Sequence, residues 1–424
     1  MAYASGNSTA TWTRGAALVG ALAVTVTTTA LVPATPAAAD GEQCTFGPKN
    51  PKYEGRPWSL QRVLLDDLWH ETKGKGVKVA VIDTGVDVKN PQLRGAVDTA
   101  EGKNLLPPNL KDADGNKIAR GNEHGTTDTV GHGTRVAGII AARPAAKTGF
   151  VGLAPEARII PIQQNDAEGH GTAESLANAI LYAKSVGAQV INISQDTADA
   201  VRPAPKLQDA VNTALAANIV VVASAGNDGL DGKQQQTYPA SFRGVLAVAA
   251  SDRNNERAAF SQQGSFVGVA APGVDMVSTV PGGGHCSDNG TSFSAPYVAG
   301  VAALIKAKHP KWTAAEVVAQ IEQTAERSIA GHDDSVGWGV VDPVRAVTED
   351  PDHPIETPSA NEGVTRAEAP EAAQVHFGET AEQRDSRLAT YTVVGAAVLV
   401  AGLGGAAVAV RDARRRGRKA AGRA

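Results

Sequence analysis

Short apolar runs and helical stripes alternate through the middle of this 424-residue chain. Residues 77–83 form a short apolar strand closed by Asp83, and residues 158–163, 188–194, 219–225 and 244–250 read as further strands. Helical spacing separates them. Residues 136–142 are apolar, residues 172–186 carry Leu176, Ala179, Ile180 and Ala183 on one face, and residues 206–217 repeat the pattern. Strands separated by helices at this spacing predict an α/β fold: a mostly parallel sheet, helices on both faces, right-handed crossovers. Unbroken runs such as Ile219–Ala223 suit strands buried on both sides. After Ser292 a helix is predicted from Val298, Val301, Ala302, Leu304 and Ile305, with Pro296 expected in its first turn. Upstream, Leu60, Val63, Leu64, Leu65, Leu68 and Trp69 predict a helical segment ended by Gly74 and Gly76. Residues 89–129 are polar and aperiodic, and read as a long surface loop.

The two ends have a different pattern. Arg14 precedes an uncharged run, and Ala37, Ala38 and Ala39 make a small-residue cleavage site before Asp40. Residues 1–39 therefore read as a signal peptide, with an uncleaved anchor as the alternative. Residues 40–76 form an N-terminal extension and residues 77–348 the main domain. Residues 349–387, acidic and without apolar period, read as a disordered stalk. Residues 388–410 form a second uncharged run, long enough for a transmembrane helix. A basic tail, residues 411–424, begins with Arg411, Arg414, Arg415 and Arg416, which the positive-inside rule assigns to the cytoplasm. Both signals predict one topology: a single-pass protein of the cell membrane with the main domain outside.

Composition narrows the function. A formal net charge of −4 gives no nucleic-acid footprint. An exported chain permits a disulfide between Cys44 and Cys286; two buried thiols are the alternative. Asp112, Asp114 and Asn116 hint at a calcium loop, but the glycine is misplaced and a turn is the simpler reading. No metal or cofactor is expected, and structural calcium is left open.

Four polar stretches remain. Asp83 ends a strand before Thr84 and Gly85. His132 lies in Gly131-His132-Gly133-Thr134, where two glycines leave the imidazole edge open. Asn227 closes Ser224-Ala225-Gly226-Asn227. Ser292 lies in Gly290-Thr291-Ser292-Phe293-Ser294-Ala295-Pro296. Singly, these are a strand-end cap, a helix cap, a turn residue and an N-cap. Together they supply the roles that acyl transfer by serine requires: nucleophile, base, orienting acid and oxyanion donor.

In that order, the motifs resemble the subtilisin-type serine proteases over about residues 58–348. The resemblance implies a subtilisin-like fold, Ser292 as nucleophile, His132 as general base, Asp83 as its partner, and Asn227 with the Ser292 N–H as oxyanion hole. It also implies Ser194, Gln195, Ser224, Ala225 and Gly226 as substrate-binding residues. The signal peptide, short extension, stalk and C-terminal helix are similar to the mycosins, membrane-anchored subtilases of type VII secretion. That likeness implies protein or peptide substrates and association with a secretion membrane complex. Where the family continues the strand before Gln195 with a leucine and then glycines, this chain reads Gln195-Asp196-Thr197. A polar rim there predicts restricted specificity. The alternative function is a structural subunit that stabilises a secretion complex, with proteolysis secondary.

Overall fold

The computed structural model describes residues 52–111, 115, 117, 119–166, 171–194, 204–232, 234–349, 354–360 and 381–421. Two short helices, α1 (Trp58–Gln61) and α2 (Leu65–Glu71), precede β1 (Lys78–Asp83) and β2 (Lys103–Asn104). Next come α3 (His132–Ala141), β3 (Arg158–Gln163), α4 (Ala173–Ser185), β4 (Val190–Ile193), α5 (Pro205–Ala216) and β5 (Val220–Ser224). Strands β6 (Leu246–Ser251) and β7 (Val267–Pro272) lead to a hairpin, β8 (Met276–Thr279) and β9 (His285–Asp288). Four helices close the described chain: α6 (Thr291–Lys308), α7 (Ala314–Thr324), α8 (Pro343–Thr348) and α9 (Ala381–Ala421).

Seven strands make one sheet in the order β2-β3-β1-β4-β5-β6-β7, and its ladders are parallel. This is the subtilisin-like arrangement expected, a mostly parallel sheet with helices on both faces. Strand periodicity explains the layering. On β1, Val79 and Val81 join a core with α3, α6 and α7, while Ala80 and Ile82 join a second core with α4 and α5. Every residue of β5 is buried, as a strand covered on both faces requires. Helix α6 is buried almost all round and runs against β4, β5, β6, β7 and α3.

Several sequence expectations change. Helix α6 starts at Thr291, so Pro296 lies in its second turn rather than its first. Having no N–H, Pro296 leaves the Ser292 carbonyl without its i+4 donor. The expected surface loop at 89–129 is partly interior: Asn90, Gln92, Leu93, Val97, Asn104, Leu106 and Asp128 are buried. Its polar side chains are interior because they are satisfied. Asn90 Nδ2 donates to the Val280 carbonyl, and Gln92 Nε2 to those of Arg143 and Phe150.

The described part of the N-terminal extension packs on the main domain. Leu60, Val63, Leu65 and Leu68 are buried, and Trp58 Nε1 donates to the Val274 carbonyl. Part of the expected stalk is held too: Arg327 donates to the Ser359 carbonyl, and Gly331 N–H to that of Ala360. Helix α9 starts inside the expected stalk and continues past Val410 to Ala421. Straight-chain charged residues and alanine favour helix at both ends, and an Asp412–Arg416 pair spans one turn. The helix is long and apolar enough to cross a membrane. The expected signal peptide at 1–39, Cys44, Asp112, Asp114, Asn116, Gln195 and most of the expected stalk lie outside the described residues.

Candidate active site

Strand β1 has β3 on one side and β4 on the other, so the direction of sheet growth switches there. In open parallel sheets the crevice beyond the carboxyl ends at such a switch is the usual ligand site. Asp83 is the last residue of β1 and is wholly buried. His132 is the first residue of α3, and its imidazole keeps 22% exposure. The Nδ1 of His132 lies 2.8 Å from Asp83 Oδ1, which also accepts from the Thr84 N–H at 2.8 Å. A proton on Nδ1 leaves the lone pair on Nε2, so the ring is oriented as an acceptor.

The glycines beside His132 serve the backbone. Gly131 has φ +86°, a left-handed conformation that favours glycine. Gly133 passes so close to Gly85 and Asp83 that a Cβ would fall 2.1 Å from the Gly85 carbonyl oxygen. The close packing lets the carboxylate and imidazole meet.

A second buried carboxylate holds this corner together. Asp128 Oδ1 accepts from the N–H groups of Gly131 at 2.7 Å and Val130 at 3.0 Å, and from the Thr84 hydroxyl at 3.0 Å. Its Oδ2 accepts from Thr134 N–H at 2.9 Å and Thr134 Oγ1 at 2.6 Å. Asp128 thereby caps α3 in place of the side-chain-free Gly131 and ties it to the residue after Asp83. Burial raises the Asp128 pKa, against the opposing effect of these hydrogen bonds. For His132, burial acts downward, but the charge and hydrogen bond of Asp83 outweigh it and the pKa is raised.

Ser292 is the second residue of α6, so its N–H is among the first-turn donors without an i−4 acceptor. Its hydroxyl makes no hydrogen bond among the described residues. The next ring, Phe293, lies 5.5 Å from the His132 ring. A hydrogen bond between a nucleophilic hydroxyl and its base commonly tightens only when substrate is bound. Asn227 follows β5, and its Oδ1 accepts from Thr291 N–H at 2.9 Å and Thr291 Oγ1 at 3.0 Å. With the oxygen so engaged, the amide orientation is fixed and Nδ2 remains as a donor.

Thr291 was not singled out in the sequence, nor was Asp128. Thr291 Oγ1 also accepts from Gly226 N–H at 3.3 Å, so this wholly buried residue joins the Asn227 turn to the Ser292 helix. The available signals were a threonine immediately before the serine and an acid four positions before the histidine. The other expected binding residues differ in what they offer. Ser194 is buried and its Oγ accepts from Asn192 Nδ2 at 2.8 Å. Ala225 uses its N–H on Val248 and its carbonyl on the Thr237 hydroxyl. Ser224 ends β5, and Gly226 turns the chain at φ +106°. Cys286, on β9, is disulfide-bonded. No group of three or more His, Cys, Asp or Glu able to hold a metal occurs among the described residues.

An imidazole backed by a carboxylate, a hydroxyl at a helix N-terminus and an oriented amide donor make an arrangement suited to acyl transfer. Comparison with known proteins agrees. Residues 74–339 match the subtilase family, Peptidase_S8. The chain is 38% identical over 303 residues to a thermophilic serine proteinase from Bacillus sp. strain AK1, covering 71% of this chain and 69% of that one. Among solved structures it resembles MycP1 with its N-terminal propeptide removed, at 34% identity and TM-score 0.60, covering 71% of this chain and 99% of that one. It also resembles the MycP3 protease from the type VII (ESX-3) secretion system, at 33% identity and TM-score 0.60, covering 72% and 96%.

Proposed function

This chain belongs to the subtilase family of serine peptidases, and on that premise we propose a membrane-anchored endopeptidase of restricted specificity acting through Asp83, His132 and Ser292. The observation that carries the reading is the His132–Asp83 contact at the carboxyl edge of the sheet. The Ser292 hydroxyl attacks the scissile carbonyl while His132 Nε2 takes its proton. Asp83 stabilises the resulting imidazolium, and His132 then returns the proton to the leaving amine. Asn227 Nδ2 and the Ser292 N–H hold the oxyanion. Ser194, Gln195, Ser224, Ala225 and Gly226 contribute to substrate binding. The polar stretch Gln195-Asp196-Thr197 narrows the choice of substrate. A fluorophosphonate probe should label the wild-type protein and leave Ser292→Ala unlabelled. Absence of label on folded wild type would overturn the assignment.

Helix α9 anchors the chain in the cell membrane, with the protease domain outside and the basic tail in the cytoplasm. The likeness to MycP1 and MycP3 supports association with a type VII secretion complex. The apolar α9 also favours a second reading, a structural subunit of that complex. Complementation separates the two. If Ser292→Ala restores secretion in a deletion strain and a chain lacking α9 does not, the structural role dominates; the opposite pattern leaves proteolysis as the main task.

A further inference from the structure

Beyond the triad, one buried cation connects the base to the nucleophile. Arg135 lies three residues after His132 on α3, on the same side of the helix. Its side chain is only 9% exposed. Arg135 Nη1 donates to Asp288 Oδ2 at 2.7 Å. Asp288 is the last residue of β9, four positions before Ser292. The guanidinium carbon also lies 5.3 Å from the centre of the Phe293 ring, and the same ring is 5.5 Å from that of His132. Phe293 therefore packs against both Arg135 and His132, and it is covalently the neighbour of Ser292.

The hairpin adds two further ties. Ser278 Oγ donates to the Arg135 carbonyl at 2.6 Å, and Thr279 Oγ1 to the Thr134 carbonyl at 2.9 Å. Both hydroxyls are on β8. The hairpin is thus bonded to the His132 helix from both strands, and it leads directly into the Ser292 helix.

We propose that Arg135, paired with Asp288 and stacked on Phe293, is a positioning residue that holds His132 in register with Ser292. The inference rests on the proposed roles of those two residues. Arg135 touches neither substrate nor reacting atom; it acts through Phe293. The geometry asks for arginine: a planar guanidinium can stack on an aromatic face while donating sideways to a carboxylate, and an ammonium cannot do both. Burial makes the pairing matter at the Arg135 end, where an uncompensated charge is costly; the Asp288 side chain is 39% exposed.

Arg135 has an electrostatic signature as well. The charged groups facing His132 are Asp83 from β1, Asp128 from the preceding loop, and Arg135 from its own helix. The two carboxylates raise the imidazole pKa and Arg135 lowers it. Removing Arg135 should therefore move the rising limb of the pH–rate curve to higher pH.

The test uses the full chain in detergent and the second-order rate of fluorophosphonate labelling, measured from pH 5 to 9 alongside a melting curve. Arg135→Met should label about 10- to 100-fold more slowly, the scale of an ångström-sized misplacement, with its pH midpoint displaced upward. Asp288→Asn should also lose rate, and the double variant should be no slower than Arg135→Met alone, because the two residues form one unit. Arg135→Lys should restore the pH midpoint while recovering only part of the rate. A folded Arg135→Met that labels within about twofold of wild type at an unmoved midpoint overturns the proposal, as do independent, multiplicative losses. Should Arg135→Met not fold, Arg135→Lys and Asp288→Asn decide the matter by the same criteria. Wild type that fails to label refutes the nucleophile assignment and the brace with it; normal wild-type labelling with unaffected variants refutes the brace alone.

Discussion

His132 and His285 show how differently one fold can treat the same side chain. His285 is buried and His132 partly so, and each packs near a phenylalanine ring, His132 at 5.5 Å from Phe293 and His285 at 5.2 Å from Phe150. Their pKa values move in opposite directions. His132 has a carboxylate behind it, and its pKa is raised in spite of burial. His285 is pushed down to about 4 by burial, helped by the charge of Lys52. Its Nδ1 accepts from the Tyr53 N–H at 3.0 Å, and its Nε2 is 2.7 Å from Gln92 Oε1. The Gln92 amide nitrogen already donates to two carbonyls, so Oε1 is the acceptor and His285 carries its proton on Nε2. Both ring nitrogens of His285 are committed to structure, joining the N-terminal segment to β9. In His132, only Nδ1 has a hydrogen bond among the described residues, which leaves Nε2 for the proposed chemistry. Burial keeps His285 a neutral structural histidine; the carboxylate behind His132 and its unused nitrogen suit it to the base role proposed for it.

The sharpest way to break the contrast is to remove what distinguishes His132. Asp83→Asn should keep the fold and lower kcat by roughly ten-thousand-fold, because an amide at that position favours the wrong tautomer. Steady-state hydrolysis of a peptide substrate checks this; a loss under tenfold would show that Asp83 does not orient the base. Next in size is the proposed oxyanion donor. Asn227→Ala should reduce kcat by about a hundred- to a thousand-fold with little change in KM, the range known for such a donor in subtilisin itself. An effect confined to KM would place Asn227 in substrate binding instead.

His285 gives a smaller effect on stability. Its folded pKa of about 4 lies below the unfolded value near 6.5. The stabilisation is therefore complete above about pH 6.5 and is lost as pH falls from there toward 4, up to about 3 kcal/mol. Urea unfolding at pH 7 and pH 4.5 should show this loss in wild type, and less of it in His285→Gln. Parallel losses in both would remove His285 as the cause. Smallest is the pH–rate profile of the wild type. His132 must be neutral to accept a proton, and its pKa is raised, so kcat/KM should climb through a midpoint above 6.5. A midpoint near 4 would mean that His132 behaves like His285.

Much of this protein was readable from its residues in order. Apolar runs separated by helical stripes implied the parallel sheet, because strands covered on both faces cannot be polar on either. Asp83, His132, Asn227 and Ser292 stood out as candidates because each sits in a short local motif at the end of a strand or the start of a helix. Tertiary structure decided what no local pattern encodes. Asp128, Thr291 and Arg135 matter through partners brought together by folding: Asp128 joins Thr84 to Thr134, Thr291 joins Asn227 to Gly226, and Arg135 reaches Asp288. The polar stretch at 89–129 looked like surface because its hydrogen-bond partners, such as Val280 for Asn90, are remote in sequence. Two histidines that look alike in the sequence became a candidate base and a strut for the same reason. A side chain's charge state depends on the groups folding places around it, and those contacts cross long spans of chain.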